Sequence, residues 1–210
     1  STATSFPHRG HALMTVSEAS SRDSALENLL TRSSNNMLTE PVPNASELEI
    51  IIEAATHAPD HGRLRPWRFL TIQGDARQEF VKVIQAATKV RNPDATEKDL
   101  TMLANKFLMQ PMIIAVGTKI TEGKIMEIEQ VLSAGAAAMN ILNAIHALGY
   151  AGKWVTGANC YDPMVNKALG FNAPDRLVGL IYVGTEKMKL PVMERPKPSE
   201  FLSEWTAPLG

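Results

Sequence analysis

Arg32, Ser33 and Ser34 stand together directly after an apolar-periodic stretch. A guanidinium beside two hydroxyls and backbone N–H groups makes a fork for phosphate oxygens. The same residues suit a solvated helix C-terminus, where a cation meets the negative end of the helix dipole. Local residues leave both readings open. His57 and His61 are four residues apart, the spacing at which a continuous helix turns two imidazoles toward one metal. Pro59 interrupts that helix, and no Glu after His57 and no neighbouring Cys completes a ligand set. The expectation is therefore no metal, and loop histidines that face a ligand or a partner chain. Arg63, Arg65 and Arg68 surround Pro66-Trp67. Three cations and one ring make a poor nucleic-acid platform, and a pocket for a small anion-bearing cofactor fits them better. Residues 149–157 carry Gly149, Gly152 and Gly157, which let a flat ligand approach the backbone. Their order, helix then strand, is the reverse of a dinucleotide fingerprint. Cys160 has no base assignable from sequence and is read as a structural thiol.

Composition narrows the class. The chain has 210 residues, 44% hydrophobic and 20% charged, enough to bury a real core and too apolar for global disorder. Lys plus Arg is 21 and Asp plus Glu is 22, a net charge of −1. Such a balance provides no general pull toward nucleic acid or an anionic membrane. One cysteine excludes a disulfide framework and a Cys-rich zinc site, and points to a reducing, cytoplasmic compartment. The first 25 residues are polar and broken by Pro7 and Gly10, without the apolar run of a secretory signal. The most apolar stretch, 131–148, includes Ser133, Asn140, Asn143 and His146, so a buried core helix is expected there rather than a membrane span.

The elements that must position these residues follow from periodicity. Residues 1–24 read as a disordered tail, with order from Ser24, a helix cap before Ala25. A second helix is predicted over 44–58, capped by Asn44 or Ser46 and ended by Pro59. Strand alternation follows over 67–72, stopped at Gly74. Helices are predicted over 76–89 and 97–109, a buried strand over 112–116, and a long helix over 126–148 ended by Gly149. The small residues at 134–138 let another backbone come close. A strand over 150–155, a short helix over 163–169 and a strand over 177–183 complete the domain, 25–210. Its last part, 185–210, is a proline-stiffened arm carrying Phe201, Leu202 and Trp205 that should dock on something. Strand–helix alternation is not strict, so an α+β layer fold is expected rather than a doubly wound sheet.

Together these segments resemble the nitroreductase family of FMN-dependent NAD(P)H oxidoreductases, in its short single-domain branch. The residues carrying the likeness are Arg32-Ser33-Ser34, the stretch from Ala58-Pro59-Asp60-His61 to Pro66-Trp67-Arg68-Phe69, the Ala-rich helix up to Gly149, Gly152-Lys153-Trp154, and the run 177–185. The resemblance covers about 25 to 205. It implies a mostly antiparallel sheet flanked by helices in an intertwined homodimer, with FMN at the subunit interface. It implies that the long helix forms much of that interface and that the C-terminal arm wraps the partner. It assigns FMN contacts to Arg32, Ser33, Ser34, to His57 and His61 across the dimer, and to Trp154, Val155 and Thr156. It assigns NAD(P) contacts to Ala144, Ile145, His146, Ala147, Leu148 and Gly149. It implies hydride transfer from NAD(P)H through flavin N5 to an electron-poor small-molecule acceptor such as a nitroaromatic or quinone, with no side chain obliged to act as acid or base. A flavin-binding storage or sensing protein is the alternative.

The chain departs from the family pattern where Ser33 replaces a second Arg, where Val155 replaces an Arg, and where Arg65 replaces a Gln before Pro-Trp. Phosphate neutralisation is accordingly expected to draw on Arg63, Arg65, Lys187 or Lys189. Arg63, Arg65 and Lys153 are candidates to stabilise the reduced flavin anion.

Overall fold

The computed structural model describes residues 16–191 and 193–206, with side chains from Ser24 onward. A helix, α1, runs over Val16–Thr31. Order thus begins before Ser24, and Ser24 is a mid-helix residue rather than a cap. Serine's low helix propensity is a weak prior that tertiary context overrides. The rest of the expected tail, residues 1–15, lies outside the described residues.

Helix α2, Ala45–Thr56, starts where its cap signal predicts. The Glu47 N–H donates to Asn44 Oδ1 at 3.1 Å, and the Asn44 N–H donates to Glu47 Oε2 at 2.9 Å. This reciprocal box satisfies two donors that a bare helix end would leave unpaired. Helices α3, Ala76–Arg91, and α4, Glu97–Leu108, follow. The long helix α5 spans Glu127–Ala147, and Gly149 closes it at φ 84°, a left-handed position that glycine holds without strain. Helix α6 is Pro163–Ala168.

The strands are β1, Leu38–Thr39; β2, Trp67–Gln73; β3, Met112–Thr118; β4, Ala151–Val155; and β5, Arg176–Glu186. Strand β5 pairs with β1, β3 and β4, and β3 also pairs with β2, every ladder being antiparallel. Two-residue β1 has no periodicity to announce it. Strand β5 extends to Glu186 because β1 pairs with Thr185 and Glu186, so the arm starts later than 185.

Helices cover both faces of the sheet. Met112, Ile114 and Val116 of β3 face α2 and α5; Ile113 and Ala115 face the side carrying α3, α4 and α6. A strand buried on both faces needs a continuous apolar run, and β3 has one. On the first face, Ile51 and Ala55 of α2 pack with Ala137, Ala138, Ile141 and Ile145 of α5. Ala134, Ala137 and Ala138 are fully buried within the chain. Of the small-residue run, Ala137 and Ala138 pack toward the chain's own sheet and α2, while Gly135 and Ala136 stay half-buried. Leu132 of α5 stays 65% exposed.

Candidate functional site

Segment 32–35 leaves α1 and runs beside β4. Ser34 forms a parallel bridge with Gly152, and the Asn35 N–H donates to the Gly152 carbonyl at 3.0 Å. Helix α1 is itself tied to the C-terminal half of α5. Asn28 Nδ2 donates to the Asn143 carbonyl at 3.1 Å, and Thr31 Oγ1 lies 3.0 Å from His146 Nε2. A cleft of about 190 Å³ opens between these elements, lined by Arg32, Ser33, Asn35, Ile145, His146, Gly149 and neighbours, with Glu186 at its wall. Arg32 and Ser33 therefore share one cavity with Ile145, His146 and Gly149, although more than 100 residues separate them.

The Arg32 guanidinium is the unusual group in that cleft. Its Nε and Nη1 are buried and have no hydrogen-bond partner. Burial, and secondly the positive charge of Arg195, push its pKa below the usual arginine value. Arg195 Nη2 donates to the Arg32 carbonyl at 3.5 Å. Two cations held together with unpaired donors form a site for an anion. The acid at the wall is engaged elsewhere: Glu186 Oε1 accepts from Asn35 Nδ2 at 2.7 Å. Arg195 lies in the proline-rich arm, and no local pattern marks it as a partner of Arg32.

The remaining expected residues fall into other places. Trp154 and Val155 point to opposite faces of β4. Trp154 lies between Gly135 and Gly179, and its Nε1 is a further buried donor without a partner. A Cβ on Gly179 would stand 1.9 Å from that nitrogen, so only glycine leaves room for the indole. Val155 packs into the core on the α3 side, while Thr156 is exposed beyond the strand end. Ala144 and Leu148 pack against the α2–α5 core, and Ala147 is exposed. Ser34 and these three residues do not line the Arg32 cleft.

His57 is exposed at the C-cap of α2. His61 opens a 3-10 turn, His61–Arg63, and its Nδ1 lies 2.5 Å from Glu129 Oε2 at the start of α5. Neither histidine lines the Arg32 cleft within one chain. Their loop is pinned to α5: Trp67 Nε1 donates to Ser133 Oγ at 2.9 Å, and Ser133 Oγ donates to the Pro59 carbonyl at 2.6 Å. Arg63 and Arg65 line a different cleft from Arg32, so within one chain they are not its neighbours. Lys187 is exposed, and its N–H donates to the Met37 carbonyl. Among the described residues, no three His, Cys, Asp or Glu side chains are grouped to hold a metal, and no helix is long and apolar enough to cross a membrane.

The mostly antiparallel sheet between helical layers, with Arg32 and its unpaired donors beside β4, defines an α+β fold with a polar cleft at the sheet edge. Residues 31–185 match the nitroreductase family model, and the chain belongs to that family of oxidoreductases. It is 35% identical over 181 residues to the Escherichia coli K12 protein named "Putative NAD(P)H nitroreductase YdjA", covering 85% of this chain and 98% of that one. Among solved structures, a nitroreductase-like family protein from Bacillus cereus superposes with a TM-score of 0.76 at 21% identity, over 91% of this chain and 98% of that chain. A nitroreductase with bound FMN from Bacteroides fragilis superposes with a TM-score of 0.66 at 20% identity, over 87% and 98%.

Proposed function

We propose that the protein is an FMN-dependent, homodimeric, cytoplasmic oxidoreductase that uses NAD(P)H to reduce an electron-poor small molecule. The observation that carries this reading is half-buried Arg32, whose Nε and Nη1 are buried without partners beside Arg195. A phosphate monoester would satisfy those donors and relieve the repulsion between the two cations. The residues present therefore fit FMN, and the solved nitroreductase of similar fold from Bacteroides fragilis is described with FMN bound.

In this reading Arg32, Ser33 and Ser34, with Arg195, hold the phosphate. The unpartnered Trp154 Nε1 and the backbone of 154–156 border the ring. Ile145, His146 and Gly149 border the nicotinamide substrate. When bound, FMN would take two electrons from NAD(P)H and pass them to a nitroaromatic or quinone. The protein's own task is to bind, orient and exclude water, so no side chain need act as acid or base. His57 and His61 would serve the site of a second copy. Exposed apolar side chains support that dimer: Leu26 and Leu30 of α1, Leu132 of α5, and Phe201, Leu202 and Trp205 of the arm are 57%, 79%, 65%, 76%, 79% and 74% exposed. Such a set on one subunit marks surface meant to be covered.

The test is direct. The purified protein should be yellow, carry one FMN per chain, and oxidise NADH or NADPH anaerobically when menadione or a nitroaromatic is supplied. A colourless protein that takes up no added FMN overturns the proposal. Retained flavin without turnover favours a storage or sensing role instead.

A further inference from the structure

Within one chain, the three-arginine loop does not line the Arg32 cleft. It borders a second cleft, of about 530 Å³, between the C-terminal end of α2 and strand β2. Thr56, Arg63, Arg65, Trp67 and Arg68 line it, with one carboxylate, Asp60. That acid is occupied: its Oδ2 accepts the Arg65 backbone N–H at 2.8 Å. None of the three guanidiniums forms an ion pair among the described residues. Charge in this cleft is therefore uncompensated, three cations against one anion.

The cleft is also held in shape. Arg68 Nη1 donates to the carbonyls of Arg65 and Trp67 at 3.1 and 2.6 Å, bracing the turn. Arg63 and Arg65 have φ of 55° and 49°, the only non-glycine residues with positive φ among the described residues. L-residues hold that conformation at a cost, and such costs persist where surrounding structure imposes them. Half-buried Trp67 and Phe69 provide an apolar wall. Cations and an apolar aromatic wall lining one cleft suit a planar ligand that carries an anionic group.

We infer that this cleft is an anion subsite for the reductase's small-molecule substrates, taking a planar ligand through its carboxylate or phosphate. The inference rests on the reading above for its place in catalysis, because the cleft adjoins the loop carrying His61. A carboxylated aromatic acceptor and the 2′-phosphate of NADPH share the required chemistry.

Calorimetric titration of the protein as purified separates these sources. One pair of probes is 4-nitrobenzoate and neutral 4-nitrobenzyl alcohol; the other is 2′-AMP and adenosine. In one pair at least, the anion should bind about tenfold more tightly than its neutral partner. The pair that discriminates names the source. Discrimination should be lost in R63Q/R65Q, whose exposed side chains leave the core untouched. Equal binding of anion and neutral probe in both pairs overturns the proposal, as does discrimination that survives in the variant. Flavin absorbance is read on the same samples. A variant that loses its flavin shows that these arginines serve the cofactor, and the proposal falls. A wild-type protein that binds no flavin yet discriminates anions refutes the flavin reading and leaves the subsite standing.

Discussion

Arg195 and Arg32 are held side by side, the Nη2 of one donating to the carbonyl of the other at 3.5 Å, although both are cations. No carboxylate pairs with either among the described residues. Their juxtaposition is stable only at a cost that a bound dianion would remove. Arg32→Gln should weaken FMN binding by about 1.5–3 kcal/mol, the range for a hydrogen bond to a charged group. Arg195→Gln should weaken it less, because its guanidinium is not the one with two buried orphan donors. Fluorescence titration of flavin-stripped protein with FMN measures both. Unchanged affinity in Arg32→Gln would remove the phosphate assignment.

Gly179 and Gly135 border the same indole with opposite tolerance. A Cβ on Gly179 would overlap Trp154 Nε1, whereas one on Gly135 would stand 3.8 Å from the ring, an ordinary contact. Gly179→Ala should cost about 1–3 kcal/mol in urea unfolding, the usual penalty for overpacking. Gly135→Ala lies inside a helix and should stabilise by up to about 1 kcal/mol through helix propensity. Equal effects of the two changes would show that Trp154 is free to move.

The thiol of Cys160 predicts an alkaline limit. Burial pushes its pKa up from 9.0 to about 11, and burial likewise raises Tyr182 from 10.0 to about 12. Both groups are neutral when protonated, and the folded state holds the proton more tightly than the unfolded chain. Their stabilisation is therefore complete below pH 9.0 and is lost as pH rises through about 11 and then about 12. Cys160→Ala should flatten the loss of stability between those first two values, by on the order of 2 kcal/mol. Urea midpoints measured across that range decide it. An unaltered slope would mean that the thiol ionises in the fold as readily as in the unfolded chain.

Leu132 tests the dimer. Glutamate at this exposed apolar position should leave the monomer folded, since surface substitutions cost little. In the proposed dimer it should shift the protein to single subunits in light scattering and deplete bound FMN, because the proposed contacts of His57 and His61 with a partner's site would be lost. A Leu132→Glu protein that stays dimeric and yellow would place the interface elsewhere. One that turns monomeric yet keeps its FMN would show that the cofactor needs only one chain.

Much of the scaffold was legible from local pattern. The Asn44 cap and the i, i+3, i+4 spacing of α2, the unbroken apolar run of β3 and the glycine ending α5 each encode their element within a few residues. Local steric and capping preferences act over such distances, so they can be read along the chain. The likeness to nitroreductases was legible for the same reason, as short segments in a set order.

Contacts between distant segments were not legible. Arg195 meets Arg32 across 163 residues, and the arm's first residues are held by Asn35, whose Nδ2 donates to the Met188 carbonyl at 3.0 Å. Alternation along β4 sends Trp154 and Val155 to opposite sides of the sheet, and packing of α5 turns Ala137 and Ala138 inward. By itself the sequence determined which family the elements compose and most of the helices and strands, the start of α1 and two-residue β1 excepted. Only the tertiary structure decided which cations stand together, which donors lose water without gaining a partner, and which clefts they line. Those outcomes depend on the simultaneous packing of every element, and no single stretch of residues contains them.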